Sequence, residues 1–159
     1  KYLDYSLDRI HSCKRKDIFE APEKIMFRRV SSTLIATYDT EQYYALNTIV
    51  VVTPKKDNID LKYILALLNS KLYNYIYSKK FKSTKKVFSE IQARSIGELP
   101  VKRNNLLEAD ISRIVDKILE KKKNDIQADI SDLEKQIDKL VYSIYELDSD
   151  GIAKVEEEV

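Results

Sequence analysis

A run of apolar residues at helical spacing most constrains the fold of this 159-residue chain. The run follows Asp60, a residue type that favours the N-cap position of a helix. Its apolar positions recur three and four residues apart and therefore share one helix face; they are Leu61, Ile64, Leu65, Leu68, Leu72, Tyr75 and Ile76. A helix with such a face needs a surface to cover it. We expect one helix here that fades near residues 78–80.

The residues before this helix predict strands. Segments rich in β-branched and aromatic residues lie at 23–30, 33–38 and 43–53, with a turn at 39–42. The third segment ends in a nearly continuous apolar stretch, which is typical of a buried strand, and Pro54 closes it. A further candidate strand lies at 86–92, after the helix.

The chain after Pro100 has a helical pattern. One amphipathic helix is predicted over residues 107–119, ending in the polar stretch 121–125. A second apolar stripe then recurs at steps of three and four, the spacing of a coiled-coil seam; it consists of Ile130, Leu133, Ile137, Leu140, Ile144 and Leu147. We expect an antiparallel two-helix hairpin. Its acidic end at residues 156–158 should fray after the break at Asp150 and Gly151.

The second of these helices has two candidate caps. Ser131 and Glu134 have the spacing of a capping box, while Asp129 is an equally good N-cap. Together the patterns predict an α+β fold, in which a small mixed β-sheet with a packed helix precedes the hairpin. We expect two units, an α/β domain at residues 1–104 and a helical spacer at 105–159.

Charge is distributed unevenly between these two units. Residues 1–104 contain 20 Lys and Arg against 11 Asp and Glu, whereas residues 105–159 contain 8 against 15. The positive charge is concentrated between Lys71 and Arg94, where seven basic residues face the single acid Glu90. Such a local excess on a chain of net charge +2 indicates a polyanionic partner, with nucleic acid as the first candidate.

Composition excludes several other classes. The single cysteine, Cys13, excludes an internal disulfide and is typical of a reducing cytoplasm. No apolar run is long enough for a membrane span. With two glycines in the chain, no glycine-rich phosphate loop can form. Because the sequence starts at Lys1 in mid-pattern, we expect it to be a piece of a longer protein.

The candidate DNA contacts fall into two groups. Lysines alternate with hydroxyl and aromatic side chains after the helix, a composition that can contact phosphates and bases; the candidates are Lys79, Lys80, Lys82, Ser83, Lys85 and Lys86. Arg28, Arg29 and Tyr44, on or beside predicted strands, are candidate base readers, because arginine can bind guanine through two hydrogen bonds. For the lysine run and the arginines, an ordinary solvated surface is the alternative interpretation, and for Tyr44 the alternative is a position in the core or at its rim.

Catalytic and metal sites are not predicted. His11 and Cys13 are two ligands without a third or fourth, so a zinc site or a nucleophilic pair is disfavoured. Asp116, Glu120 and Lys122 loosely match an acid-and-lysine nuclease pattern, but they lie on an amphipathic helix where such residues form a solvated face. We predict no catalytic residue and no metal ligand in this chain.

The order of several motifs resembles the TaqI-like C-terminal specificity domain. The resemblance is carried by these segments: Pro22–Arg29, Leu34–Asp39, Tyr43–Asn47, Leu61–Lys71 with its Leu-Asn-Ser end, Ile96–Val101, and the helix Leu133–Tyr145. This family is the target-recognition part of N6-adenine DNA methyltransferases and fused type IIG restriction-modification enzymes. It is similar to the recognition domains of type I specificity subunits.

The resemblance implies a double-stranded DNA recognition module that is not itself catalytic. The methyltransferase motif Asn-Pro-Pro-Tyr is absent, and Asn47 is followed by Thr48. Methyl transfer would therefore belong to an upstream domain of the same chain or to a partner subunit. The expected cofactor of that parent enzyme is S-adenosylmethionine, with Mg²⁺ as a further candidate, and the chain itself would hold none. DNA cleavage by the parent enzyme is left open.

A second interpretation gives the functional role to the helices. In that case residues 105–159 form a protein-interaction or scaffolding module, for example half of a type I specificity subunit that docks methyltransferase subunits. The basic run at residues 79–86 would then be only solvated surface.

Overall fold

The computed structural model describes residues 5–11, 14–55, 59–81 and 89–159 of the chain. Its strands form two small sheets and include β1 (Lys24–Arg28), β2 (Val30–Ser31), β3 (Ala36–Asp39), β4 (Ile49–Val52) and β5 (Ser89–Glu90). β1 lies between β3 and β4 in a three-stranded sheet, and β2 pairs with β5. All these pairings are antiparallel. The prediction of an α+β fold is confirmed, with antiparallel sheets where the sequence had suggested a mixed one.

Seven helices are described around these sheets. They are α1 (Lys16–Phe19), α2 (Leu61–Asn69), α3 (Lys71–Phe81), α4 (Ala93–Gly97), α5 (Asn105–Asn124), α6 (Ser131–Ile144) and α7 (Ser149–Glu158). α2 packs on β1 and β3 and also on α5, while α3 packs on α6 and α7. One cluster of buried apolar residues extends from Ile25 to Val155 and so crosses the expected boundary at residue 104. The division into two units stays a prediction.

α2 is buried on more than the one face that its spacing predicted. Leu61, Leu65 and Leu68 are buried as expected, but Tyr63 and Leu67 are buried as well. The reason is that α2 lies between the sheet and α5, so that both sides meet apolar partners. The predicted N-cap is confirmed, because the Asp60 carboxylate accepts hydrogen bonds from the backbone N–H groups of Lys62 and Tyr63.

The apolar run forms two helices instead of the predicted single one. Ser70 separates them with an extended backbone (φ −67°, ψ 152°). Its hydroxyl donates to the Leu67 carbonyl and accepts from the Tyr73 N–H, so one side chain ends α2 and caps α3. The Lys71 N–H donates to Asp138 of α6 over 2.9 Å. The break therefore depends on a residue far away in the sequence.

The third predicted strand is much shorter than expected. Only Ile49–Val52 pairs as β4, and residues 43–48 form a connection without regular structure. The Asp39 carboxylate accepts from the N–H groups of Glu41 and Tyr43, and Gln42 adopts a positive φ of 56°. These turn interactions replace strand pairing, although the aromatic composition favours a strand. Of the candidate strand at 86–92, residues 86–88 lie outside the described residues.

The acidic end of the chain is a helix, so the prediction that it frays is wrong. α7 begins at the Asp148 cap, which accepts from the Gly151 N–H, and buries Val155. At the start of α6 the N-cap position is Ile130, which makes no side-chain capping hydrogen bond, so neither of the two predicted caps is present. Asp129, one residue earlier, accepts from both the N–H and the hydroxyl of Ser131. The C-terminal helices thus number three among the described residues, one more than the predicted hairpin.

A buried ion pair fixes one end of the three-stranded sheet. Lys24 has no exposed surface, and its ammonium pairs with the buried Asp39 carboxylate across the β1–β3 register. The same ammonium donates to the Phe19 carbonyl at 2.8 Å. Because Asp39 also holds the turn before residue 43, Lys24 connects β1, α1 and that turn.

Replacement of Lys24 by Met should destabilise the protein strongly. The variant leaves the Asp39 charge buried without its partner, which typically costs about 3–5 kcal/mol. Urea unfolding at neutral pH measures the loss. Lys16→Met serves as control, since the Lys16–Glu20 pair is exposed and should be worth at most about 1 kcal/mol. The double variant Lys24→Met with Asp39→Asn should recover much of the loss. Equal losses of unfolding free energy in Lys24→Met and Lys16→Met would contradict the role given to the buried Lys24–Asp39 pair.

The contribution of Asp138 to the free energy of unfolding should fall as the pH rises. Burial raises the pKa of this carboxyl group, and the Lys71 N–H opposes the shift only in part. The folded chain therefore keeps this proton at pH values where the unfolded chain has already released it. The resulting contribution to stability is complete below the pKa of Asp138 in the unfolded chain, and it is lost as the pH rises through the pKa of Asp138 in the folded chain.

Asp138→Asn keeps the acceptor for the Lys71 N–H and removes the charge. Its stability relative to the native chain should therefore increase from acid to neutral pH, as measured by urea unfolding across that range. Asp132→Asn removes an equal charge from the exposed first turn of α6 and controls for net charge. A relative stability of Asp138→Asn that falls over the same range would contradict the prediction.

Candidate nucleic-acid interface

The uneven charge of the chain is used in part for contacts within the molecule. Five ion pairs among the described residues join a Lys or Arg side chain before residue 105 to an Asp or Glu side chain after it. The pairs are Lys62–Asp116, Lys71–Glu156, Lys79–Glu158, Lys102–Glu146 and Arg103–Glu108. The acidic helices thus neutralise part of the basic unit, and charge totals alone overstate the positive surface that a ligand would meet.

The last turn of α3 presents Lys79 and Lys80, the first two candidate phosphate contacts. Positive side chains are favourable at a helix C-terminus because they face its partial negative charge. The Lys79 ammonium lies 2.8 Å from Glu158 and 5.5 Å from the centre of the Tyr75 ring. The Glu158 hydrogen bond raises the pKa of Lys79. Lys80 lies 3.8 Å from Glu98.

The remaining candidates of the basic run lie outside the described residues; they are Lys82, Ser83, Lys85 and Lys86. Regular elements flank these residues on both sides. Before them α3 ends at Phe81, and after them β5 pairs with β2. Ile91, just after β5, is fully buried and its N–H donates to the Arg29 carbonyl. The basic run therefore connects two fixed points of the fold.

Arg28 and Arg29 have different surroundings at the end of β1. The Arg28 side chain is exposed and makes no hydrogen bond or ion pair with the described part of the chain. The Arg29 guanidinium donates to the Asn47 carbonyl at 3.2 Å and lies 2.6 Å from Glu90, an ion pair without a hydrogen bond at Nε. Arg29 thus fastens the connection before β4 to β5.

Tyr44 lies at the other end of the connection between β3 and β4. Its ring stacks on Phe19 at 5.0 Å and meets Tyr5 edge-on at 4.6 Å. Its hydroxyl donates to Glu20, and burial together with that carboxylate raises the pKa of Tyr44. The phenol is therefore held against α1 at the start of β1, away from Arg28 and Arg29 at its end.

The structure thus brings together only some of the candidates. Arg28 and Arg29 are neighbours at the end of β1, Arg29 pairs with Glu90 of β5 after the basic run, and Lys79 and Lys80 lie in the last turn of α3 where the run begins. Sequence reasoning missed the acids Glu98 and Glu158 beside these lysines. It also missed Leu46, an apolar side chain two residues after Tyr44 that is 64% exposed. No local pattern identifies such features, because they depend on tertiary contacts and on a turn.

The described residues contain no cluster of three or more His, Cys, Asp or Glu side chains that could hold a metal ion. Asp116 instead pairs with Lys62 at 2.6 Å on the surface of α5. Within the same residues, no helix combines the length and apolarity that crossing a bilayer requires. Neither the finding on metal clusters nor the finding on membrane-spanning helices covers residues 12 and 13 or the other positions that the structure does not describe.

An apolar cleft of about 420 Å³ lies between β3, α2, α5 and α6. Its walls include Leu65, Val115, Ile118 and Ile137, and Tyr38 lies at its side. Asn69 closes the edge strand beside it, since its amide exchanges hydrogen bonds with the N–H and the carbonyl of Ala36. The predicted seam of α6 packs against this same interior, so its apolar stripe is used within the chain.

Comparison with known proteins assigns this arrangement to a class of specificity domains. The model of the TaqI-like C-terminal specificity domain matches residues 1–101, which include both sheets and the helices α1–α4. The chain belongs to this family. The predicted resemblance is therefore confirmed, and the match ends where the helices α5–α7 begin.

A curated relative gives the setting in which such a domain occurs. The chain is 31% identical over 154 residues to the protein of Methanocaldococcus jannaschii named "Putative type II restriction enzyme and methyltransferase RM.MjaORFECS2P". The similarity covers 91% of this chain and so extends beyond residue 101. The chain spans only 13% of the length of that relative.

Arg29→Ala should reduce stability, whereas Arg28→Ala should not. Loss of the Arg29 guanidinium leaves the Asn47 carbonyl and Glu90 without their contact, a cost of about 1 kcal/mol for one charged hydrogen bond at the surface. Arg28→Ala is the matched control and should stay within about 0.5 kcal/mol of the native chain. Urea unfolding measures both. A larger loss in Arg28→Ala would show that this geometry misassigns the two arginines.

Proposed function

We propose that the chain is the sequence-specific DNA recognition module of a restriction-modification enzyme or N6-adenine DNA methyltransferase. Membership of the TaqI-like C-terminal specificity domain family carries this proposal. The curated relative, whose name includes both restriction and methyl transfer, supports the setting. The module itself contributes recognition and no catalytic group. Methyl transfer with S-adenosylmethionine, and Mg²⁺-dependent cleavage where the parent enzyme cleaves, belong to another domain or subunit in the cytoplasm.

The proposed DNA-binding face extends from the end of α3 to the end of β1. Lys79, Lys80, Lys82, Lys85 and Lys86 contact phosphates and so position the module on the duplex. Arg28, Arg29 and Ser83 are the proposed base readers of this face, and Tyr44 is a proposed base reader at the other end of β1. Arg28 is the strongest of these four, since its side chain is exposed and unpaired within the described residues. Arg29 must first leave Glu90, and Tyr44 must leave Glu20.

The arrangement of fixed ends favours this face. A recognition segment has to place its side chains reproducibly, and rigid neighbouring elements provide that placement. α3 is held by Asp138 at its start and by α7 along its side. β5 is held by β2 and by the buried Ile91. The lysines between them thus belong to a segment with defined entry and exit.

The alternative of a protein-interaction module has no specific observation in its favour. The stripe of α6 that suggested it contributes Ile137 and Ile144 to the buried cluster of the chain itself, and Leu133, Leu140 and Leu147 pack against that cluster. A partner could contact other surfaces of the helices, but the apolar spacing is explained without one.

Replacement of Lys80, Lys82 and Lys85 by Gln should weaken duplex binding at all sequences. Each lost phosphate contact should reduce the slope of log affinity against log salt concentration by about 0.9. Fluorescence anisotropy with a labelled duplex at several salt concentrations measures both quantities.

The matched control replaces Lys121, Lys122 and Lys123, at the end of α5, by Gln. It removes the same total charge from a basic cluster outside the proposed face. The control should lower affinity only slightly and leave the slope nearly unchanged, because it removes no phosphate contact. Equal effects of the two triple variants would mean that net charge alone determines binding, which contradicts the proposed face.

A further inference from the structure

Three consecutive glutamates in the last turn of α7 have three different environments. Glu156 pairs with Lys71 and also accepts a hydrogen bond from the Tyr142 hydroxyl at 2.8 Å. Glu157 is exposed and makes no hydrogen bond or ion pair with the residues described. Glu158 pairs with Lys79 at 2.8 Å. The end of α7 thus lies along α3, with Glu158 at the turn from which the basic run leaves.

The position of these acids is unfavourable for α7 itself. The carbonyl end of a helix carries partial negative charge, so carboxylates there are repelled while basic residues are favoured. The last turn of α7 has no basic residue. The lysines of α3 supply the missing positive charge from outside the helix. The acids at 156 and 158 are therefore explained by the neighbouring helix and not by α7.

Glu156 and Glu158 differ in how firmly they are bound. The Glu156 carboxylate has two partners, and both lower its pKa, with Lys71 as the larger cause. The Lys79 and Glu158 side chains remain 54% and 41% exposed, and no second partner holds Glu158 among the described residues. An exposed pair of this kind is weak and is readily exchanged for another anion.

We propose that the Glu158 carboxylate occupies the place of a DNA phosphate on Lys79, and that duplex binding exchanges the carboxylate for the phosphate. A carboxylate oxygen and a phosphate oxygen accept the same ammonium hydrogen bond. This inference rests on the proposed function, because it identifies the ligand of Lys79 as duplex DNA. It adds that an acid of the chain itself competes for the site.

A second acid has a similar position beside the same run. Glu98, at the end of α4, lies 3.8 Å from Lys80 and 3.5 Å from Arg94. Acids thus adjoin both lysines in the last turn of α3. Competition at these positions lowers affinity for any duplex equally. Base contacts then supply a larger fraction of the remaining binding free energy, while the ratio of specific to non-specific affinity stays the same.

The glutamates provide a matched set of variants for the test. Glu158→Gln removes the competing carboxylate, and Glu157→Gln removes an equal charge one residue away without breaking a pair. Affinity for a labelled duplex of random sequence is measured by anisotropy at low and high salt, and thermal unfolding confirms that both variants keep the fold.

Glu158→Gln should bind the duplex about three-fold more tightly than Glu157→Gln at low salt, with an upper limit of about five-fold set by the strength of an exposed pair. The difference should shrink at high salt, where the native pair is screened. In a Lys79→Met background, which has no ammonium to release, Glu158→Gln and Glu157→Gln should bind equally.

Other results would overturn the inference in distinguishable ways. Equal affinities of Glu158→Gln and Glu157→Gln in the native background, with duplex binding intact, overturn the competition and leave the proposed function standing. A difference that persists in the Lys79→Met background overturns Lys79 as the shared site. Absence of salt-dependent duplex binding by the native chain and by all variants overturns the proposed function, and the inference with it.

Discussion

The enclosure of α2 between the sheet and α5 is the constraint on which the rest of the fold depends. Tyr63 and Leu67 are buried on sides of the helix that an amphipathic pattern leaves to solvent. α2 packs on α5, which lies beyond the matched specificity domain. The helices after residue 104 therefore complete the core of the domain that precedes them. A polar network reinforces the contact, since the Ser112 hydroxyl of α5 donates to Asp60, the cap of α2.

The direction of α3 follows from how α2 ends. Ser70 ends one helix and caps the next, and Asp138 accepts from the Lys71 N–H at the new start. α3 then runs between α6 and α7 to the basic segment. The Tyr73 hydroxyl and the Tyr145 hydroxyl both donate to the Pro100 carbonyl, which ties α3 and α6 to the chain leaving the specificity domain. The position of Lys79 and Lys80 is thus set by contacts from three separate segments.

Sequence patterns predicted the elements whose causes are local. The Asp60 cap, the strand beginning near residue 24 and the two amphipathic helices after Pro100 all rest on neighbouring residues, and all are present. The features that were missed have distant causes. The break at Ser70 involves Asp138, the short β4 involves the turn around Asp39, and the order of α7 involves the lysines of α3. For the candidate site, local charge predicted the basic run and residue type predicted the two arginines at the end of β1, but neither could predict the acids that contact Lys79, Lys80 and Arg29.

The link between Arg29 and the basic segment has a consequence for how such a domain can vary. The segment lies between α3 and β5, and the core residues on either side of it, Tyr77 and Ile91, are buried. Arg29 holds the chain that follows the segment, since its backbone carbonyl accepts from the Ile91 N–H and its side chain pairs with Glu90. A change in the segment that repositions β5 would act on Arg29, and through Asn47 on the connection before β4. The two groups of candidate contacts are therefore coupled through this one arginine, although they arise from separate parts of the sequence.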